Sequence, residues 1–370
     1  DCSILQTSDG GKVALDQNLV NLWRFSDNKD LDQILNTFND PSFNRNTLRS
    51  ALACLAEAGL LKRSYHVPIK RLKPIKGEMV SVIITTHKGE EWIPDCIDSI
   101  KKQNYSPIEI IVIDNVSNWP IRAWMKAHHP DVHLISKKQS LSLAAAENCG
   151  ISKAKGKYFL LINDDTLLAV DAISEMIYAF KRDPLIAAVV PKLKFYWARN
   201  FFNGVGNRVD SHSWGTDNAF GHLDIGQYDL WGEIPSACTA AAMFSRANWK
   251  QIGNMDERFP IYYDDSEWSY RARLMGFKIH VAPKSVIYHA FGGRKPSGAP
   301  EDLPVRKLEC AVYGRLRFSL KLLKTYRRRF LFNYLGEDFT NIIKYLVKGK
   351  FLYARAYVSA WRKISAHFHA

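Results

Sequence analysis

Residues 157–166 carry an apolar run straight into two adjacent carboxylates. Tyr158, Phe159, Leu160, Leu161 and Ile162 stand between Gly156 and Asn163-Asp164-Asp165, so the segment reads as a buried strand ending in an acidic tip. Ligands of open α/β sheets gather outside the carboxyl ends of the strands, and hard divalent ions take carboxylate oxygens together with substrate phosphates. One reading of the tip is therefore a metal-bridged diphosphate. The other makes Asp165 or Thr166 the N-cap of a helix over 169–180. A second acidic cluster, Asp264-Asp265-Ser266-Glu267, opens a further helical stretch that continues through Arg271 and Arg273. Acids there suit the helix macrodipole with or without chemistry.

The elements that would carry these residues alternate. A β-branched run at 80–85 leads to Thr86 and His87, after which Trp92, Ile93, Cys96, Ile97 and Ile100 recur at helical spacing. A second apolar strand at 108–113 ends at Asp114-Asn115, a third covers 132–135, a helix covers 144–154, and the acidic tip closes the fourth strand. This order predicts an α/β fold with a mostly parallel, Rossmann-like sheet. Right-handed crossovers would then place the tips at 85–88, 114–115 and 163–165 along one edge, as one crevice.

Around this centre, 1–66 reads as a small helical or winged-helix-like domain, 67–79 as a basic, proline-containing linker, 80–300 as the catalytic domain, and 301–370 as a basic amphipathic helical tail. Six scattered cysteines without a CxxC spacing suggest neither a zinc site nor a disulfide framework, which fits a reducing cytoplasm. No apolar run reaches eighteen residues, so no membrane span is expected. The formal charge is +14, and 301–370 holds fifteen Lys or Arg against five Asp or Glu. That sign admits nucleic acid, an anionic membrane face or an anionic substrate as partner. Nucleic acid is not expected, because the second N-terminal helix carries only Arg49 as a base, beside Glu57.

Five stretches resemble the ordered blocks of family 2 glycosyltransferases, inverting enzymes with the GT-A fold, in a rhamnosyltransferase-like form. They are VSVIITTHKGEEWIPDCIDSI, IEIIVIDNVS, SLAAAENCGISKAKGKYFLLINDD, MDERFPIYYDDSEWSYRARLMGF and VIYHAFGG, and they cover roughly 80–293. The resemblance implies that Thr85, Thr86 and His87 lie against the base of a nucleotide sugar and that Asp114 accepts from a pyrimidine ring NH. It implies that Asn163 and Asp164 support the donor, and that Asp165 and His289 hold Mn²⁺ or Mg²⁺. It makes Asp265 the base that activates the acceptor hydroxyl, with Asp264 and Glu267 beside it in supporting roles on acceptor hydroxyls. The flexible run 292–300 would close over the donor. Departures at Ser140-Leu141-Ser142, Glu147-Asn148, Asn118-Trp119 and 237–241 leave the donor sugar open.

The tail mixes aromatic and basic residues at helical spacing, the composition of an interfacial segment, with Arg327-Arg328-Arg329 suited to anionic lipid. Helices packed on the catalytic domain are the other reading. The expectation is a metal-dependent transferase moving a sugar from a UDP- or dTDP-linked donor to a glycan, lipid-linked if the tail meets a membrane. It would work in the cytoplasm, peripheral on the inner membrane face, with a protein or peptide partner for the N-terminal domain. Two rivals remain. A nucleotidyltransferase would want a glycine-rich basic loop after the first strand, where 85–91 holds one Gly and one Lys. A non-enzymatic DNA- or peptide-binding protein would use the N-terminal domain and the tail.

Overall fold

The strands Ile75–Thr86 and Tyr158–Asn163 are buried along their apolar stretches, which is what strands between two helical layers require. Val80, Val82 and Ile84 enter one core layer while Ile83 enters the other. The structure, a computed structural model, describes residues 2–6, 12–27, 29, 31–44, 47–48, 51–52, 55, 60, 73–87, 89–230, 232–291, 304–322 and 327–366. The donor-closing run 292–300, most of the linker and much of the second N-terminal helix lie outside the described residues, as do the side chains of the 327–329 arginine cluster. Two compact units result, 1–72 with 222–227, and 73–221 with 228–370.

In the first unit β1 (Cys2–Gln6) pairs antiparallel with β2 (Lys12–Asp16). Asp16 then caps α1 (Gln17–Phe25), accepting from Leu19 N at 2.9 Å, and α2 (Leu31–Thr37) follows. Leu15, Leu22, Ile34, Leu48, Leu52 and Leu55 form its core. The hairpin is an addition to the helices the sequence suggests, because five-residue strands show too little alternation to be read alone.

The second unit begins with β3 (Ile75–Thr86), α3 (Ile93–Lys101), β4 (Tyr105–Asp114), α4 (Ile121–His128), β5 (His133–Ser136), α5 (Leu143–Lys153) and β6 (Tyr158–Asn163). It continues with β7 (Thr166–Leu168), α6 (Ala172–Phe180), β8 (Ile186–Phe195), β9 (Phe202–Gly204), and a hairpin of β10 (Asn207–Val209) and β11 (Gly215–Asp217). Next come β12 (Ala241–Ser245), α7 (Arg246–Ile252), α8 (Asp264–Leu274) and β13 (Lys278–His289). The main sheet runs β5-β4-β3-β6-β12-β8-β13-β7, with β9 on β8. Pairs among β5, β4, β3 and β6 are parallel, as is β8 with β13, while β12 runs antiparallel to both neighbours. The expected mostly parallel α/β sheet is present. The helix expected over 169–180 is present but starts at Ala172 after an Asp171 cap, and neither Asp165 nor Thr166 caps it, since β7 intervenes. Thr166 Oγ1 instead donates to Asn163 O at 2.8 Å and closes a tight turn.

Three helices end the chain, α9 (Val305–Leu322), α10 (Arg327–Val347) and α11 (Phe351–Ala366). Among the described residues no helix is long and apolar enough to cross a membrane. α9 packs on the catalytic unit, with Phe318 against the rings of Tyr263 and Tyr270, Arg317 on Asp256 at 2.7 Å and Lys321 on Glu267 at 2.8 Å. Burial pushes the Asp256 carboxyl up, but Arg258, Arg317 and Lys321 outweigh it and hold the group well below the usual carboxylate range. Arg315 is fully buried, paired with Asp338 and Glu337 and covered by the rings of Trp214 and Tyr334. A guanidinium cannot shed its proton to escape burial. Asp338→Ala is therefore expected to cost about 3 kcal/mol or more of unfolding free energy, read by denaturant titration.

Candidate active site

Strand register brings the polar tips together. Thr85 pairs with Ile113 and Asn163, Thr86 with Asp114, and Asp114 with Ser136, so these residues stand across one sheet edge at about 4.8 Å per strand. Asp114 is buried and one carboxylate oxygen accepts from Ser117 N at 2.8 Å, so it shapes the turn as well as facing the edge. His87 donates from Nδ1 to the Asn115 carbonyl at 2.8 Å, which leaves Nε2 as the acceptor. Asn115 in turn fixes the next loop through reciprocal bonds with Leu141. The hydroxyls of Thr85, Ser117 and Ser136 are buried without a hydrogen-bond partner among the described residues. Buried hydroxyls are rarely left so, and three at one edge suit a polar ring that arrives from outside. Ser117 and Ser136 were not singled out in the sequence, although both follow strand ends.

The acidic tip folds against β13. His289 donates from Nδ1 to Asn203 Oδ1 at 2.7 Å and receives Asn163 Nδ2 at Nε2, at 3.2 Å. Its Nε2 also stands 3.0 Å from Asp165 Oδ1. An imidazole nitrogen and a carboxylate oxygen at that spacing match one edge of an octahedron whose ligands lie about 2.1 Å from a common ion. A carboxylate and an imidazole are donors that Mn²⁺ accepts, and the carboxylate suits Mg²⁺. Among the described residues no group of three or more His, Cys, Asp or Glu side chains converges on one point. Such an ion would take its other ligands from phosphate oxygens and water, as Mg²⁺-type sites do. Asp164 is pushed up to about 6, first by burial and further by the charge of Asp165. A Cβ on Gly89 would run into its carboxylate, so the loop after β3 lies directly on the tip.

The second cluster is presented by strained backbone. Tyr262 and Tyr263 both have φ of 68°, and Tyr263 caps α8, whose first turn holds Asp264, Asp265 and Glu267. Asp265 Oδ1 accepts from Ser266 N at 2.6 Å and Ser266 Oγ at 3.3 Å; Oδ2 accepts from Asn207 Nδ2 at 2.9 Å and Thr239 N at 3.4 Å. Burial raises both Asp264 and Asp265. Asp264 rises further, because the charge of Asp265 adds to burial while Asp265 is stabilised by its four donors. Glu147, buried beneath them, is also pushed well above its usual range by burial and by Asp264. Within this trio Asp265, with its four donors, is the carboxylate whose charged form is best supported. Glu267 does not face a substrate. It is fully buried and paired with Arg271 at 3.0 Å and with Lys321, while Arg271 also holds the carbonyls of Ile252 and Asn254. That corrects the expectation of an acceptor role for Glu267 and resolves Arg271 as its partner.

Two consecutive residues join the two clusters. Ala240 O accepts from Asn163 N at 3.2 Å, and Thr239 N donates to Asp265. The small-residue block 237–241 thus ties the carboxylate-imidazole edge to the carboxylate held by four donors. Asn203 and Asn207 sit in three-residue strands too short for a readable periodicity, and Thr239 stands in the block 237–241, which the sequence marks only as a departure.

The comparisons with known proteins agree with this geometry. Residues 81–253 match the family described as glycosyl transferase family 2. The dTDP-rhamnosyl transferase RfbF of Shigella flexneri is 25% identical over 263 residues, which is 68% of this chain and 81% of that protein. The UDP-Glc:alpha-D-GlcNAc-diphosphoundecaprenol beta-1,3-glucosyltransferase WfaP of Escherichia coli is 27% identical over 43% of this chain and 71% of its own length. A crystal structure of GalNAc-T7 with UDP, GalNAc and Mn²⁺ aligns with a TM-score of 0.50 at 18% identity, over 64% of this chain and 47% of that one, a likeness of fold. With its sheet order, its paired acid clusters and this match, the chain carries a glycosyltransferase family 2 domain, built on the GT-A fold.

Proposed function

We propose that the enzyme moves a hexose or deoxyhexose, with inversion, from a dTDP- or UDP-linked donor to a glycan hydroxyl in cell-surface polysaccharide assembly. The observation that carries this reading is the Thr239-Ala240 bridge, which sets a hydrogen-bonded carboxylate beside an edge suited to a divalent ion. The names of the two relatives support the nucleotide and sugar classes.

Asp165 and His289 would hold Mn²⁺ or Mg²⁺, which when bound neutralises charge on the diphosphate. Asp114 and the free hydroxyls of Thr85, Ser117 and Ser136 would meet the nucleoside. Asp265 takes the proton of the acceptor hydroxyl as its oxygen bonds to the anomeric carbon and the bond from that carbon to the diphosphate oxygen breaks. Asp264 and Glu147 beside it are both raised by burial, which opposes a competing charge there. A Cβ on Gly89 displaces Asp164 or the loop after β3, so Gly89→Ala is expected to weaken nucleotide affinity about tenfold by calorimetry. Release of nucleoside diphosphate from dTDP-rhamnose, UDP-glucose and GDP-mannose, each with Mn²⁺ and a set of pyranosides, tests the reading. No release from any of the three would sink it.

The tail supports a lipid-linked acceptor. Phe339, Ile343, Leu346 and Val347 on α10 and Phe351 and Leu352 on α11 are exposed, with Lys344, Lys348 and Lys350 exposed among them. Exposed large apolar side chains interleaved with lysines fit the surface of an anionic bilayer. Phe339→Ser with Phe351→Ser is expected to lower co-sedimentation with phosphatidylglycerol vesicles about tenfold or more, and added salt to lower that of the wild type. Equal pelleting with neutral vesicles, or none with either, would remove the membrane from the proposal.

A further inference from the structure

The β10–β11 hairpin carries a carboxylate that none of the roles above uses. Asp217 is the cross-strand partner of Asn207, and directly opposed residues of an antiparallel pair present their side chains on one face. Asn207 holds Asp265, so the hairpin sets Asp217 beside the base. Asp217 is pushed up to about 6, first by burial and next by the charge of Asp265, with His289 opposing the rise. The group thus lies within electrostatic reach of both clusters, with the base the stronger influence. Among the described residues none donates a hydrogen bond to Asp217 or pairs with it. A carboxylate drawn this far from water normally has donors in the protein, so its donors are expected to come from a ligand.

Aromatic surface stands close by in the chain. The backbone turns through a left-handed Ala219, φ 62°, and the Phe220 ring after it is 46% exposed. That ring lies 5.6 Å from Phe291, itself 49% exposed and left-handed at φ 55°, and Phe195 backs both. The Phe291 ring meets the His289 imidazole edge-on at 5.8 Å. Left-handed backbone at a non-glycine residue is strained and persists where surrounding structure enforces it, often around ligands. A pyranose ring offers C–H faces to such rings and hydroxyl donors to a carboxylate that can only accept.

We infer that Asp217 and the Phe220–Phe291 pair form the subsite for a pyranose ring of the acceptor glycan, with Asp217 receiving hydroxyls next to the one Asp265 deprotonates. The inference rests on the transferase reading above. Asp217 is assigned to the acceptor because its cross-strand partner Asn207 holds the base.

The test measures steady-state kinetics of the full chain with Mn²⁺ and dTDP-rhamnose or UDP-glucose. The acceptors are methyl glycosides of glucose, galactose, mannose and rhamnose, and N-acetylglucosamine. Asp217→Asn and Phe220→Ser are each expected to raise the acceptor KM about tenfold or more, with a much smaller change in donor KM and kcat. Calorimetric affinity for the free nucleotide diphosphate checks that each variant is folded. A rise confined to donor KM would assign Asp217 to the transferred sugar and overturn the inference. So would a collapse of kcat with unchanged KM, which would make it a second base, or no change at all. Donor turnover that no pyranoside stimulates also overturns it, whereas absence of any donor turnover in the wild type removes the transferase reading itself.

Discussion

Asp265→Asn is expected to lower kcat by about 10²–10⁴-fold while nucleotide affinity stays near that of the wild type. Asn keeps the shape of the side chain and can still engage Asn207 and Ser266, but it cannot take the acceptor proton. The variant thus separates proton transfer from folding. The pH dependence follows from the same burial. As the proposed base Asp265 would act in its ionised form, and burial raises its pKa, so kcat/KM should climb with pH and fall away on acidification above the ordinary carboxylate range of about 4. The acid limb belongs to the Asp264–Asp265 pair, whose first added proton goes to Asp264. In Asp265→Asn that limb should vanish from the residual rate. A residual rate with an unchanged limb would assign the base elsewhere.

Asp165→Ala is expected to abolish the gain in nucleotide affinity that Mn²⁺ provides and to lower kcat/KM by about a hundredfold or more. The argument is geometric. Asp165 and His289 offer one 3.0 Å edge, and no third acid, cysteine or histidine joins them among the described residues. Half of a two-ligand edge cannot hold a weakly bound ion against water. Because most ligands would come from the diphosphate and water, Mn²⁺ alone should bind the wild type poorly and nucleotide alone should bind modestly, each strengthening the other by the same factor. His289→Ala should share the loss. Asn203→Ala should give a milder form of it, because Asn203 fixes the tautomer that turns Nε2 toward Asp165.

The parts of the site that stand at the ends of long apolar strands were legible in the sequence. Runs such as 108–113 and 158–162 are buried on both sides, so their polar ends mark the sheet edge, and pairing register does the rest. Five ordered blocks then named the family. The division of labour within the second cluster was not legible. Asp264, Asp265 and Glu267 are equivalent as letters in a helix start, and only Asn207, Thr239, Glu147 and Lys321, arriving from distant segments, leave one held by four donors and proposed as the base, one raised by burial and its charged neighbour, and one anchoring Arg271 and α9. Asp217 and Asn203 were missed for a related reason. They sit in three-residue strands, too short for alternation to declare which way a side chain faces. The tail reading split as well, since α9 is bound to the catalytic unit by Arg317, Phe318 and Lys321 whereas α10 and α11 keep apolar side chains in solvent.

Calorimetric titration of dTDP, UDP and GDP into the wild type and Asp165→Ala, each with Mn²⁺ and with EDTA, probes the donor site most directly. The expected result is tight binding of dTDP or UDP to the wild type with Mn²⁺, weakened by EDTA and lost to the same extent in Asp165→Ala. Absence of binding for all three nucleotides, or affinity indifferent to both EDTA and the substitution, would contradict a metal-bridged diphosphate at Asp165 and His289.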